Sequence, residues 1–438
     1  MLYEDNIAIS LKSKQYECEC YMRNQEETES VFIFQSKQRT EEVRCPFCGG
    51  KVNISGLTSK HLKDIPIWVE IAQDLCFHCH RYRCIECGKK FTEDIPLQCP
   101  GTRITERAAE WIRSFLRNGM TIRAIQKLTG IHWDTIRKLQ SEMMTETLEA
   151  RKQKLLAEGY HPQYLAVDEF AIHKGHTYAT CVMDLRTGEV LWVGNGRSKA
   201  DFAGFFEEIE PSFLTEVKAI AMDMNASYHL LVKEKMPGVD IVYDRYHMQA
   251  QYGKDVLGAV RLQEARKHKE QAAMLTQSLS DMDTEEKKTI KELIRLEKQQ
   301  YSQIKKLRWT LLTNGASLHD DTAEHLNSIL DAHSDLAVCY AMKEELTRLF
   351  TLRDPIEADA AWRSWFHAAK ESQIQPLVRF AELKELRISG LIAHAIHPVS
   401  TGKLEGFNNK IKVAKRIGYG YRDDAFFFLL VRFLSCLA

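Results

Sequence analysis

The sequence has no run of about 18 apolar residues, which excludes a membrane-spanning helix. Its opening residues, MLYEDNIAISLKSKQYECECYM, lack a basic stretch followed by an apolar one, so no secretion signal is expected. Net charge is also lacking, with Lys+Arg and Asp+Glu both at 60. Neutrality names no partner by itself, and a nucleic-acid binder can still be neutral if its charge is segregated. There is no internal repeat and no low-complexity linker. What is present, 438 residues that are 44% apolar and 27% charged, fits a soluble globular chain of about three domains, each large enough for its own core.

Cysteine is plentiful and uneven. Of 12 cysteines, nine fall between Cys18 and Cys99. Without a secretion signal, such clustering favours metal over disulfides. CPFCGG holds Cys45 and Cys48, and CIECGKKF holds Cys84 and Cys87. Each is a Cys-x-x-Cys-Gly knuckle, where two thiolates grip one ion from a tight turn and the following glycine, Gly49 or Gly88, permits the backbone angles. Four thiolates make a tetrahedral zinc site. Cys76 and Cys79 are rivals with the same spacing. However, His80 follows Cys79 where a knuckle has glycine, and WVEIAQDLCFHCHRYRC reads as a strand that points the two to opposite faces. The module is expected over residues 43–99, zinc-ribbon-like, after a β-leaning lead-in at 1–42 with VFIF as a strand.

Residues 100–150 have a helix-turn-helix rhythm. Ile122, Ile125 and Leu128 form one apolar face, Gly130 breaks the chain, and Ile131 and Ile136 anchor the next helix. That helix would offer His132, Trp133, Thr135, Arg137 and Lys138 to base edges and phosphates. The plainer alternative is a helical hairpin used for packing.

Residues 160–250 alternate strand and helix signals in the order β-β-β-α-β-α-β. QYLAVDEFAIHK is a strand carrying Asp168. HTYATCVMDLRTGEVLWVGN is two strands around a turn at Arg186–Gly188, with Asp184 at its entrance. A helix follows from about Lys199. VKAIAMDMNASYHLLVKEKM is a strand ending at Asp223 and running into a helix, and GVDIVYDRYHM is a strand reaching Asp244. Three antiparallel strands followed by parallel crossovers is the ribonuclease-H-like arrangement, in which the first and fourth strands are neighbours. A carboxylate in an apolar strand is costly unless paired or metal-bound. Asp168 and Asp223 could therefore share metal, and two hard cations about 4 Å apart would activate water and stabilise a leaving oxygen in phosphodiester chemistry. Residues 251–398 are helical, and 399–438 are helix again.

These residues resemble the DDE transposases of the ISL-three family of bacterial insertion sequences. The likeness rests on VDEFA at 167–171, AMDMNASY at 221–228, VYDRYHM at 242–248, LRWTLLTN at 307–314 and, most specifically, EGFNNKIKVAKRIGYGYRD at 405–423. It spans nearly the whole chain, most weakly over residues 1–40. The resemblance implies a catalytic triad of Asp168, Asp223 and Glu405 holding Mg²⁺ or Mn²⁺. The long interval before Glu405 implies an all-α insertion, residues 251–398, interrupting the core, which residues 399–438 then complete. Asp244 and His247 stand where the family has Asp-x-x-His, ordering the site or contacting DNA, or serving as a strand cap. Trp309, after Arg308, is placed to stack on a flipped base, or else to pack the insertion's own core. On a helix, Glu405, Asn409, Lys412 and Arg416 share a face, so the three later residues would meet phosphates beside the metal.

The expectation is a multi-domain α/β transposase that binds the terminal inverted repeats of its element, then cleaves and joins DNA with Mg²⁺ or Mn²⁺. It would carry structural zinc and act as at least a homodimer on DNA, in the cytoplasm at the bacterial nucleoid and away from membranes. The rival readings are a non-transposing nuclease of the same fold and a non-enzymatic zinc and helix-turn-helix regulator.

Overall fold

A computed structural model of the chain describes residues 15–23, 26, 28–66, 72–173, 175, 177–281, 284–397 and 399–436. The first 14 residues of the lead-in, and residues 67–71 of the cysteine-bearing strand segment, lie outside the described residues. The chain divides into two compact units. One comprises residues 1–154 with 415–430, and the other 155–414 with 431–438.

The first unit opens on a five-stranded sheet: β1 (Tyr16–Arg23), β2 (Glu29–Ser36), β3 (Val52–Asp64), β4 (Ala72–Cys84) and β5 (Lys90–Thr92). Its order is β1-β2-β4-β3, with β5 pairing β4. VFIF lies in β2, and alternation sends Phe32 and Phe34 inward against Leu75, Phe77 and Cys79 of β4. The stretch between the two knuckles is thus one long antiparallel ribbon, β3 with β4, and the pair Val52↔Cys84 closes it beside the second knuckle. Three helices follow: α1 (Glu106–Arg117), α2 (Ile122–Thr129) and α3 (Trp133–Ala157). Thr105 and Thr121 cap the first two, each hydroxyl accepting a backbone N–H one turn on. Gly130, at φ 64°, ends α2 in the left-handed conformation that glycine tolerates best. Ile125 is buried as its spacing demands, but Leu128 is exposed, so the expected apolar face of α2 is narrower than its sequence suggests.

The second unit is built on β6 (Tyr164–His173), β7 (Thr177–Asp184), β8 (Val190–Asn195), β9 (Ala219–Met222) and β10 (Asp240–Tyr243), in the order β10-β9-β6-β7-β8. Strands β6 to β8 are antiparallel, whereas β9 pairs parallel with both β6 and β10. The crossovers are α4 (Lys199–Glu208) and α5 (Ala226–Lys235). Asp184 is buried at the β7 turn, accepting from Tyr160 Oη at 2.5 Å and Thr187 Oγ1 at 2.8 Å, as its place in the hairpin implied. Helices then run in series: α6 (Arg245–Tyr252), α7 (Gly258–Gln277), α8 (Thr284–Lys306), α9 (Arg308–Leu312), α10 (Asp320–Ala332), α11 (Ser334–Leu349), α12 (Pro355–Glu371), α13 (Gln375–Glu385) and α14 (Ile388–Ile396). One apolar core runs from Leu165, Ile220 and Tyr243 of the sheet through Tyr252 to Trp362 and Phe380 of the helices. The chain closes with α15 (Gly402–Ile417) and α16 (Asp424–Cys436), both of which cross the division between the units. Among the described residues no helix is long and apolar enough to cross a membrane.

Candidate active site and metal centre

Parallel pairing sets the acidic residues in a row. Val167 of β6 is in register with Met222 of β9, and Met222 with Tyr243 of β10. The next residue on each strand is an aspartate: Asp168, Asp223 and Asp244. Neighbouring strands lie about 4.8 Å apart, so the three aspartates form a row across the sheet, Asp168 midway along β6 and Asp223 and Asp244 just past the ends of β9 and β10.

Their roles diverge. Asp244 is buried and fully used: it accepts the His247 backbone N–H at 3.1 Å as the cap of α6, and the Thr401 N–H at 3.2 Å and Oγ1–H at 2.7 Å. It therefore pins the start of α15 to the end of β10. Asp244 and His247, adjacent in one motif, part here, because the carboxylate faces the fold while the imidazole faces the acids. His247 Nδ1 lies 3.8 Å from Asp223 Oδ1, and Nε2 lies 4.0 Å from Glu405 Oε1. Glu405, one turn into α15, is thereby brought to the same place as Asp223.

Asp168 lies on the neighbouring strand, within the electrostatic reach of His247 and Glu405. Its Oδ1 accepts the Glu169 N–H at 2.8 Å, and its Oδ2 accepts Asn408 Nδ2–H at 2.8 Å. Burial in the sheet pushes its carboxyl up to about 6. The Glu169 amide and the His247 charge oppose this, and the charges of Glu169 and Glu405 add to it. Burial and like charge crowd this carboxylate, and carboxylate oxygens of this kind suit a hard divalent ion.

Sequence reasoning missed the amide of the last helix that meets Asp168. Asn408, not Asn409, reaches the acids. It belongs to the buried stripe of Leu404, Phe407 and Ile411, while Asn409, Lys412 and Arg416 are exposed and Lys412 Nζ donates to Asn409 Oδ1 at 3.3 Å. The signal was present, since an amide inside an apolar stripe needs a partner.

The knuckles converge as their spacing predicts. The sulfurs of Cys45, Cys48, Cys84 and Cys87 all lie within 4.8 Å of one another, with Cys45–Cys87 at 3.7 Å and Cys48–Cys84 at 3.5 Å. Sulfurs about 2.3 Å from one tetrahedral zinc would be about 3.8 Å apart, so the set fits that ion. Gly49 and Gly88, at φ 74° and 71°, make the two turns. The Cys87 N–H donates to Cys84 Sγ at 3.4 Å and draws that thiol down to about 7, toward the thiolate a metal needs. Cys76 and Cys79 are buried in β4 outside this cluster, and Tyr16 Oη meets Cys79 Sγ at 3.5 Å. No second closed group of three or more ligating side chains occurs among the described residues.

The side chains expected to face DNA fare differently. Trp133 is 37% exposed. Arg137 pairs with Asp423 at 2.5 Å and stacks over Phe426, and Lys138 donates to the Pro100 carbonyl at 2.9 Å. Both cations have partners inside their own unit. Trp309 is 70% exposed with Arg308 over its ring at 5.0 Å, so it does not pack the helical core, a task left to Leu311.

The chain thus combines a row of aspartates across a sheet, an acid on a late helix beside them and a four-thiol cluster. A family model described as transposase, of the DDE type and ISL3 group, matches residues 165–431. The transposase for insertion sequence element IS1001 of Bordetella parapertussis is 31% identical over 408 residues, 92% of this chain and 91% of that protein. The transposase for insertion sequence element IS1557 of Mycobacterium tuberculosis is 24% identical over 307 residues, 68% of this chain and 65% of its own. This chain belongs to the ISL3 family of insertion-sequence transposases.

Proposed function

We propose that this transposase binds the terminal inverted repeats of its element, cleaves the DNA there and joins the freed end to a target. The observation that carries the reading is the gathering of three acids about His247, which lies between Asp223 and Glu405, with Asp168 on the strand beside Asp223 and within the electrostatic reach of both His247 and Glu405. The sheet order β10-β9-β6-β7-β8 supports a ribonuclease-H-like core, which the helices of residues 251–398 interrupt as an insertion. Residues 100–150 would serve as the helix-turn-helix and the four cysteines would hold a structural zinc. Two DNA ends call for two active sites, hence a homodimer on DNA at the nucleoid.

Asp168, Asp223 and Glu405 would hold Mg²⁺, with Mn²⁺ as a substitute. Such an ion supplies a lowered water pKa and compensates charge on the leaving oxygen. The protein's own part is placement. Asn408 fixes one oxygen of Asp168, Asp244 anchors the helix that carries Glu405, and the His247 ring stands between Asp223 and Glu405. Water attacks the phosphodiester at an element end and a 3′-hydroxyl leaves. That hydroxyl then attacks a target phosphodiester and displaces its 3′-oxygen. Exposed Trp309, and the exposed Asn409, Lys412 and Arg416, are the side chains proposed for the DNA itself.

A strand-transfer assay with a labelled element end and a plasmid target tests this. Wild-type protein with Mg²⁺ is expected to give both a nicked end and a joined product. Cleavage without joining would favour the nuclease reading, and end binding with neither reaction would favour the regulator.

A further inference from the structure

The turn that carries Asp223 is gripped by two cations from the far end of the helical series, beyond the carboxylates already described. Met224 is the point of grip. Its backbone N–H donates to Asp223 Oδ1 at 2.5 Å, its carbonyl accepts from Arg387 Nη1, and Lys384 Nζ lies 3.3 Å from its sulfur. Lys384 is buried, at 7% exposed, and also donates to Gln251 Oε1 at 2.5 Å. Gln251 sits one helical turn after His247 on α6, so the same ammonium ties the Asp223 turn to the helix that bears His247. On its other side the turn is held by Asn225, whose Nδ2–H donates to Glu169 Oε1 at 3.1 Å.

The base of this clamp is rigid. Arg387 lies in the turn between α13 and α14, its guanidinium 6.0 Å from the centre of the Tyr243 ring. Gly390 lets α14 press against β10, since a Cβ there would fall 2.4 Å from Tyr243 Cε2 and 3.0 Å from the Ile241 carbonyl oxygen. Arg387 is thus fixed to the strand next to β9. A lysine buried merely to fill space would be costly, because an ammonium leaves water only for good partners. Here the partners are the residue after a carboxylate ligand and the helix of its neighbouring imidazole.

We infer that Lys384 and Arg387 are positioning residues for Asp223, which make the helical insertion a determinant of metal binding at the carboxylates. This rests on the reading of Asp223 as a ligand. Outer-shell partners of a metal ligand commonly set affinity by about 10–100-fold.

The test is Mn²⁺ binding by the full-length, zinc-loaded chain without DNA, followed by the electron paramagnetic resonance of free Mn²⁺, with melting temperature recorded in parallel. Arg387→Met is expected to weaken the carboxylate site about 10-fold or more at an unchanged melting temperature, with Arg387→Lys recovering most of the loss. Unaltered Mn²⁺ binding in Arg387→Met overturns the inference, as does a fall in melting temperature with binding intact. Should Arg387→Met fail to fold, Lys384→Gln carries the same comparison: weakened Mn²⁺ binding supports the clamp and unaltered binding overturns it. Asp223→Asn is the control: if it binds Mn²⁺ like wild type, the ligand reading itself fails, whereas loss in Asp223→Asn beside intact binding in Arg387→Met sinks the clamp alone.

Discussion

Asp168→Asn is expected to abolish cleavage of an element end, by about 10³-fold or more, and at the same time to stabilise the metal-free protein. Both effects follow from where the carboxylate sits. It lies within the sheet, held by Glu169 N–H and Asn408, and its charge is disfavoured by burial and by the neighbouring acids. The amide keeps the shape and loses the charge. Its folded pKa of about 6 is raised above the ordinary 3.8. The charge therefore costs nothing where both states are protonated, below pH 3.8, and that cost grows as pH rises through 6. Between these limits the folded chain binds a proton that the unfolded chain has released. A shift of this size corresponds to about 2–3 kcal/mol. The gain in melting temperature should thus be full at pH 7–8 and vanish toward pH 4. Paired melts of wild type and variant across that range, in chelator, check the sign. A carboxylate that merely braced the fold would lower the melting temperature when replaced.

Cys84→Ser is expected to remove the zinc and with it the order of the open end of the β3–β4 ribbon, where Val52 pairs with Cys84. Structural zinc in small modules contributes on the order of 10 kcal/mol of folding free energy. Cys84 is both a member of the four-sulfur set and the last residue of β4, paired with Val52. Metal content should fall from one zinc per chain to none, limited proteolysis should cut within residues 43–98, and binding of the element end should weaken about 100-fold or more. Cys76→Ala is the contrast. That thiol is buried in the sheet outside the cluster, so zinc content should stay at one per chain. Equal loss of zinc in both variants would place Cys76 among the ligands.

Local chemistry was legible in the sequence wherever spacing alone fixes geometry. Two Cys-x-x-Cys-Gly turns can close on one ion almost regardless of what joins them, and here a two-stranded ribbon joins them. The strand order around Asp168 and Asp223 was legible for a similar reason: apolar runs ending in an acid and followed by helical spacing leave few arrangements. What the sequence could not show lies where a side chain's surroundings come from distant residues. Arg137 looked free because Asp423 and Phe426, which occupy it, lie almost 300 residues later in the sequence. Asn408 was overlooked because helical spacing from Glu405 was counted without asking which face Leu404, Phe407 and Ile411 would bury. Asp244 and His247 share a motif of four residues, yet a strand end turning into a helix sends one inward and the other to the acids. Nothing local in LKELRISG marked Lys384 and Arg387 as neighbours of Asp223, since only the fold brings α13 to that turn.

Anomalous scattering from crystals of the full chain soaked in Mn²⁺ tests the central claim most directly. A manganese peak within about 2.2 Å of carboxylate oxygens from Asp168, Asp223 and Glu405, absent in Asp168→Asn, is the expected result. A peak elsewhere, with those three carboxylates unligated, would contradict it.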